Sequence, residues 1–241
     1  MELRIIFQSE NNIVLPTHYN HILQGFIYSN ISADLAEFLH EKGYILNNRN
    51  FKLFTYSNIL TKGQVKNKKL YFGKTVEWVV KSPIPEFINS FGTYILQKDD
   101  LNLGNNKVTV NRTQLKKQKV DGYEIEVKAI SPIVAYSTFA KENGSKYTCY
   151  FSPHENDFPR IIKENILKKY EAFYGDLEKD VEFTIQPISN VNLNIVYYKD
   201  FLIKGYSGKY KIRGDKRLLE LALDAGVGSK NSQGFGCIEQ I

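Results

Sequence analysis

Three observations predict an α+β chain built from two tandem ferredoxin-like (βαββαβ, RRM-like) domains. Residues 3–115 read in the order strand, helix, strands, helix, strand. The same element order returns over residues 123–241, without a residue-by-residue repeat. Between the two halves the stretch LKKQKVDG is charged and ends in a turn signal, which divides the chain into a domain of residues 1–119 and a domain of residues 120–241.

In the first half, Leu3 to Phe7 opens as a strand. From Asn20 to Ile31, Ile22, Leu23, Phe26 and Ile27 share one stripe of a helix, and Tyr28 falls about 140° from Leu23, off that stripe. Ser32 serves as N-cap of a second, short helix with Asp34 in its first turn. Leu35, Phe38 and Leu39 form its apolar face, His40 points about 140° away from Leu35, and Gly43 ends it. Asn47 to Asn50 is a turn-rich loop, and Phe51 to Ile59 has the aromatic and β-branched content of a strand. Leu70 to Phe72 and Val76 to Val80 read as strands joined by a hairpin turn at Gly73 and Lys74. A helix from Glu86 to Leu96 and a strand from Lys107 to Leu115 complete this half.

The second half opens with a strand at Tyr123 to Ala129, continued irregularly through Ser131 to Ala135. Asp157 to Tyr174 is a helix, with Ile161, Ile162, Asn165, Ile166, Lys169 and Phe173 near helical spacing. Val181 to Ile188 and Leu193 to Tyr198 alternate as strands, and Phe201 to Arg213 reads as a hairpin. A helix at Lys216 to Ala225 and a last strand at Phe235 to Ile241 follow.

Composition narrows the function classes. The 241 residues are 42% hydrophobic and 24% charged, which suits folded domains with their own cores and leaves no low-complexity tract. A net charge of +6 favours a polyanionic partner. Cys149 and Cys237 lie far apart with no histidine beside either, which argues against a zinc site by spacing and for a reducing compartment. No apolar run reaches membrane-span length and the first residues lack a signal-peptide pattern, so the chain reads as cytoplasmic, with no membrane partner.

The most distinctive stretch is GVGSKNSQGFG, between the last helix and the last strand. Gly226, Gly228, Gly234 and Gly236 bracket Ser229, Lys230, Asn231, Ser232 and Gln233, describing a tight loop that offers bare amides to phosphate. A plainer reading stays open, with Gly226 as a helix C-cap and Gly234 and Gly236 as strand or bulge glycines. The order helix, loop, strand is not that of a dinucleotide fingerprint, and Lys230 follows Ser229 rather than preceding it as a Walker loop requires.

Tyr28, His40 and Lys52 are the candidates for chemistry, each with a dull alternative as a solvated or snorkelling side chain. Gly-apolar-Gly, five residues, Gly-apolar-Gly near the C-terminus, together with YNHILQGFIYSNI, FLHEKG and FKLFTYS near the N-terminus, resembles the CRISPR-associated endoribonucleases that cut precursor repeat RNA. The resemblance covers both ends of the chain, while residues 60–200 contribute element order alone. It implies an active site of the Tyr in LQGFIY, Tyr28, the His in FLHEKG, His40, and the Lys in FKLFTYS, Lys52, with His21 and His18 as alternative holders of the histidine role.

The chemistry so implied needs no metal or other cofactor. A base takes the proton of the RNA 2′-hydroxyl, the oxygen attacks the adjacent phosphorus, and an acid protonates the departing 5′-oxygen, leaving a 2′,3′-cyclic phosphate and a 5′-hydroxyl. Histidine suits the base because it titrates near neutrality, lysine suits the phosphorane, and tyrosine begins protonated as orienter or acid. A metal-dependent nuclease would need clustered carboxylates, and here the acids are scattered, with Asp99 and Asp100 the one adjacent Asp pair. For RNA binding, Lys209, Lys211 and Arg213 alternate along KYKIR on one strand face, with Lys204, Lys216 and Arg217 close in sequence. Lys116, Lys117 and Lys119 read as linker charge. The expected partner is precursor CRISPR RNA, alone or with other subunits of a CRISPR effector complex, bound by a monomer or homodimer. The rival readings are a non-cleaving RNA-binding subunit of such a complex and a generic two-domain RNA-binding module.

Overall fold

The structure is a computed structural model that describes residues 1–141, 144–177 and 181–241. Strand β1, Glu2–Gln8, alternates inward Leu3, Ile5 and Phe7 with outward residues and lies at the centre of an antiparallel sheet. Its helices are α1, Asn20–Tyr28, a short α2, Ala33–Glu37, and α3, Pro85–Gln97. Its other strands are β2, Thr55–Tyr56, β3, Thr75–Lys81, β4, Leu101–Leu103, and β5, Asn106–Lys116. The sheet order is β2-β3-β1-β5-β4, so strands one to four of the βαββαβ unit stand as 2-3-1-4, with β4 added at the edge. Opposite Ile6 and Phe7 a bulge adds Asn111 to β5, while β1 keeps its alternation and Phe7 points inward. There it meets Phe26 of α1 edge-on at 5.4 Å, and Trp78 of β3 packs against both. Each such ring removed from water stabilises the fold by about 1.5–3 kcal/mol.

The second sheet repeats the pattern. Strands β6, Glu124–Ala129, β7, Phe183–Pro187, β8, Lys209–Gly214, and β9, Ile238–Gln240, stand in the order β7-β8-β6-β9, again 2-3-1-4. Helices α4, Asp157–Tyr174, and α5, Lys216–Ala225, cover one face, and Tyr210 of β8 stacks on Phe158 of α4 at 6.3 Å. The Asp215 side chain caps α5 by accepting from the Arg217 amide at 2.8 Å. The two sheets meet through buried and half-buried polar contacts. Lys81 of β3 pairs with Glu2 of β1 at 2.7 Å and donates to the Ile238 carbonyl of β9 at 2.8 Å, and Arg4 pairs with Glu239.

Several local expectations are corrected. Phe51 to Ile59 is not one strand: Arg49–Phe51 pairs back on Tyr44–Leu46, Leu53 takes a φ of 50°, and only Thr55–Tyr56 joins the sheet. Gly73 and Lys74 do not turn a hairpin. Lys69–Tyr71 pairs with Gln64–Lys66 through a turn at Asn67 and Lys68, both with positive φ, and with Val14–Pro16 on its other side. Phe201 to Arg213 is not a hairpin either. Phe201–Ser207 pairs with Asn192–Tyr198, while Lys209–Gly214 enters the sheet between β6 and β7. Ser131 to Ala135 does not continue the strand: it forms one isolated bridge, Ile133 opposite Tyr206, and is otherwise tied by single backbone bonds to Cys237, Gly236, Ser229 and Phe151. Tyr136–Ala140 and Lys146–Tyr150 form a further antiparallel pair.

Candidate active site

Tyr28, His40 and Lys52 come together although they belong to three different segments. Tyr28 ends α1, its ring edge-on to the His40 imidazole at 6.2 Å and to Phe54 at 5.9 Å. Burial, with a smaller contribution from Tyr198, pushes its hydroxyl up to about 12. The helix of His40 is not regular. After Ala33–Glu37 it widens into a π turn, Phe38–Lys42, closed by a 2.7 Å bond from the Gly43 amide to the Phe38 carbonyl. Leu39 of that turn is buried and His40 stands 73% exposed, its Nδ1 2.7 Å from Glu41 Oε1. Lys52 reaches back to the same turn, donating to the Leu39 carbonyl and, at 2.7 Å, to the His40 carbonyl. Burial lowers its pKa and Glu41 opposes the shift.

A lysine carries three N–H donors, so the two carbonyls leave one. Lys52 also lines a cleft of about 610 Å³ between the domains, with Arg49, Phe54, Tyr136, Lys230 and Ser232. Tyr28 and His40 are not among its lining residues. Neither alternative histidine joins the Tyr28 ring: His18 packs on Tyr197 at 5.2 Å, and His21 is exposed near the start of α1. Among the described residues, no group of three or more His, Cys, Asp or Glu is arranged to hold a metal ion.

The glycine-rich loop forms the other wall. Its four glycines all have positive φ, from 69° to 86°. A side chain at Gly226 would come within 2.9 Å of the Gly236 carbonyl, and one at Gly234 within 2.7 Å of the Asn20 amide. The stretch is not a row of bare amides. Val227 donates to Gly236 at 2.9 Å, Ser229 to Val134 at 2.8 Å, and Gly236 to Pro132 at 2.8 Å. Asn231 is nearly buried, and its Nδ2 donates to the carbonyls of Val227 and Phe235, each at 3.0 Å. The first domain holds the loop's far side: Asn20 donates to Gln233 at 3.0 Å and Gly234 at 3.2 Å, and Gln24, one turn before Tyr28, donates to Ser232 at 2.6 Å. Ser229 to Gln233 line the cleft, with the Lys230 ammonium 5.2 Å from the Tyr136 ring and its pKa lowered by burial.

One residue holding this loop has no sequence motif. Lys169 of α4, fully buried, donates to the carbonyls of Gly226 at 2.8 Å and Gly228 at 3.2 Å and to Asn231 Oδ1 at 2.7 Å. Burial pulls its pKa down to about 7. The signal available was its place on the apolar stripe of α4, seven residues after Ile162 and three after Ile166.

The strand cations lie elsewhere. Tyr210 and Ile212 are buried towards α4 and α5, so Lys209, Lys211 and Arg213 point to the opposite face of the sheet, away from the helix that holds the loop. Lys211 pairs there with Glu124 at 2.9 Å, and Arg213 also pairs with Glu124. Lys204 is exposed on the hairpin of Asn192–Tyr198 and Phe201–Ser207, whose Tyr198 hydroxyl contacts Gln24 of α1.

Residues 113–240 match the family model described as CRISPR associated protein Cas6, C-terminal, and residues 14–114 match the model for the Cas6 N-terminal domain. A relative from Methanocaldococcus jannaschii named CRISPR-associated endoribonuclease Cas6 1 is 29% identical over all of this chain and 93% of its own. A CRISPR-associated endoribonuclease Cas6 from Pyrococcus furiosus is 26% identical over 93% of this chain and 83% of its own. A solved structure titled CRISPR associated protein Cas6 superposes with a TM-score of 0.81 at 26% identity, covering 100% of this chain and 99% of that one.

Proposed function

The chain belongs to the CRISPR-associated Cas6 family, and from that membership we propose that it cleaves precursor CRISPR RNA within the repeat, without a metal, to make guide RNAs. The observation that carries the reading is the convergence of Tyr28, His40 and Lys52 from three segments onto one π turn beside the interdomain cleft. The Glu41 carboxylate at Nδ1 orients the imidazole and leaves Nε2 as the base for the 2′-hydroxyl proton. The freed oxygen attacks the adjacent phosphorus in line. The Lys52 ammonium, held by two carbonyls and with one N–H to give, meets the charge of the phosphorane. Tyr28, protonated at every working pH, orients the substrate or gives its proton to the departing 5′-oxygen. The products are a 2′,3′-cyclic phosphate and a 5′-hydroxyl. Residues 1–119 carry this chemistry and residues 120–241 much of the grip on RNA.

The test is incubation of the purified protein with end-labelled repeat RNA in excess EDTA, beside a copy with a single 2′-deoxy nucleotide at the cut site. Cleavage of the first alone is expected. Tight binding without a cut would favour a non-cleaving subunit, and cleavage only with added metal would overturn the mechanism.

A further inference from the structure

Every donor of the Lys169 ammonium is occupied, and all three acceptors belong to the glycine-rich loop. None of them is a carboxylate. A buried cation satisfied only by neutral oxygens is costly to keep, and a methionine of similar length would fill the same space without that cost. What methionine lacks is the pull on the loop. Lys169 draws in the carbonyls of Gly226 and Gly228, and through Oδ1 it fixes the Asn231 side chain, whose Nδ2 draws in Val227 and Phe235. Four loop carbonyls on both sides of the arch thus converge on one lysine and one asparagine. With its ends gathered, the stretch from Ser229 to Gln233 stands out against α1, where Gln24 takes the Ser232 carbonyl one turn from Tyr28.

We propose that Lys169 is a positioning residue for RNA processing, its buried ammonium setting the shape of the glycine-rich loop and, through the loop, its grip on RNA beside Lys52. The second half of this statement rests on the proposed function. Asn20 and Gln24 hold the outer side of the arch from the first domain, whereas Lys169 holds the inner side from the second, so the two sets of contacts are separable by mutation.

The experiment compares wild type with Lys169→Met at a temperature where both give the same circular dichroism. Hydrogen exchange at the Val227, Ser229 and Gly236 amides is read on RNA-free protein, and affinity and single-turnover rate are read with repeat RNA. Loop protection and RNA affinity should each fall roughly tenfold or more, as loss of bonds to a charged donor implies, while α4 and α5 keep their protection and the rate at saturating RNA falls less. If the methionine variant does not accumulate folded, Lys169→Gln, which keeps two donors on a shorter stem, takes its place with the same readouts and a smaller expected loss. Unchanged loop protection would overturn the proposal. Lost protection with unchanged affinity would leave Lys169 as the holder of the loop and break the reading of that loop as an RNA grip.

Discussion

The two walls of the cleft are built in opposite ways. On the first domain Lys52 lines the cleft, and the histidine of the proposed chemistry stands behind it on an exposed π turn, touching one carboxylate and one ring. On the second, the loop is tied by buried polar side chains of α1 and α4 and by four glycines that admit no side chain. The lesson is that the rigid wall is the one without a reactive group. A groove that must hold a flexible strand in register gains from a fixed backbone, whereas a proton-transferring histidine needs access to solvent and substrate more than burial.

The comparison is broken most severely at Gly236. In Gly236→Ala the new methyl group meets the Val227 carbonyl oxygen and sits 2.7 Å from the Asn231 amide, at a φ of 69°. The variant should lose at least about 3 kcal/mol, read by denaturant unfolding, because left-handed strain and overpacking add. A loss near zero would mean that the loop is not rigid.

The soft wall is sharpened by Tyr28→Phe, which should lower the single-turnover rate roughly 10²-fold with affinity retained. Its pH dependence carries a sign. Burial raises the folded pKa of Tyr28 to about 12 from the usual value of 10.0, so the neutral phenol contributes stability that is complete below pH 10 and lost as pH rises through 12. Wild type should therefore lose stability across that window faster than Tyr28→Phe, and its cleavage profile should show no Tyr28 limb below pH 10.

A smaller effect is expected from Lys209→Ala with Lys211→Ala. The salt slope of RNA binding should flatten only slightly, because Lys211 is already paired with Glu124 and the strand faces away from the loop. A large drop in slope would place RNA across the open sheet face. The smallest is Gly25→Ala. This glycine is exposed in α1, with nothing within 4 Å of an added side chain, and the change should stabilise the fold by about 0.5–1 kcal/mol. A loss of RNA affinity in that variant would show the backbone of α1 in contact with the substrate.

Much of this was readable from residue order. Asp157–Tyr174 and Lys216–Ala225 have the bounds that the apolar period predicts, and both βαββαβ orders follow from the element sequence. Strand partners were not readable. Phe201–Ser207 and Lys209–Gly214 are separated by Gly208, which looks like a hairpin glycine, yet their partners are Asn192–Tyr198 and the central sheet, set by long-range packing rather than by the turn. The turn at Asn67 and Lys68 is not legible in the sequence because lysine seldom takes positive φ. Tyr28 and His40 lie off an apolar stripe, but it is the resemblance at the N-terminus, not the period, that singles them out. Lys169 lies on such a stripe, where the spacing reads it as one more helix position although a charged residue in a core row is itself a signal.

The most direct test of the division between a chemical wall and a holding wall is His40→Ala, measured for single-turnover cleavage and for affinity with the same repeat RNA. Cleavage should fall roughly 10²–10⁴-fold while affinity stays near that of wild type. Equal loss of both, or cleavage that survives intact, would remove His40 from the chemistry and with it the separation of roles on which this account depends.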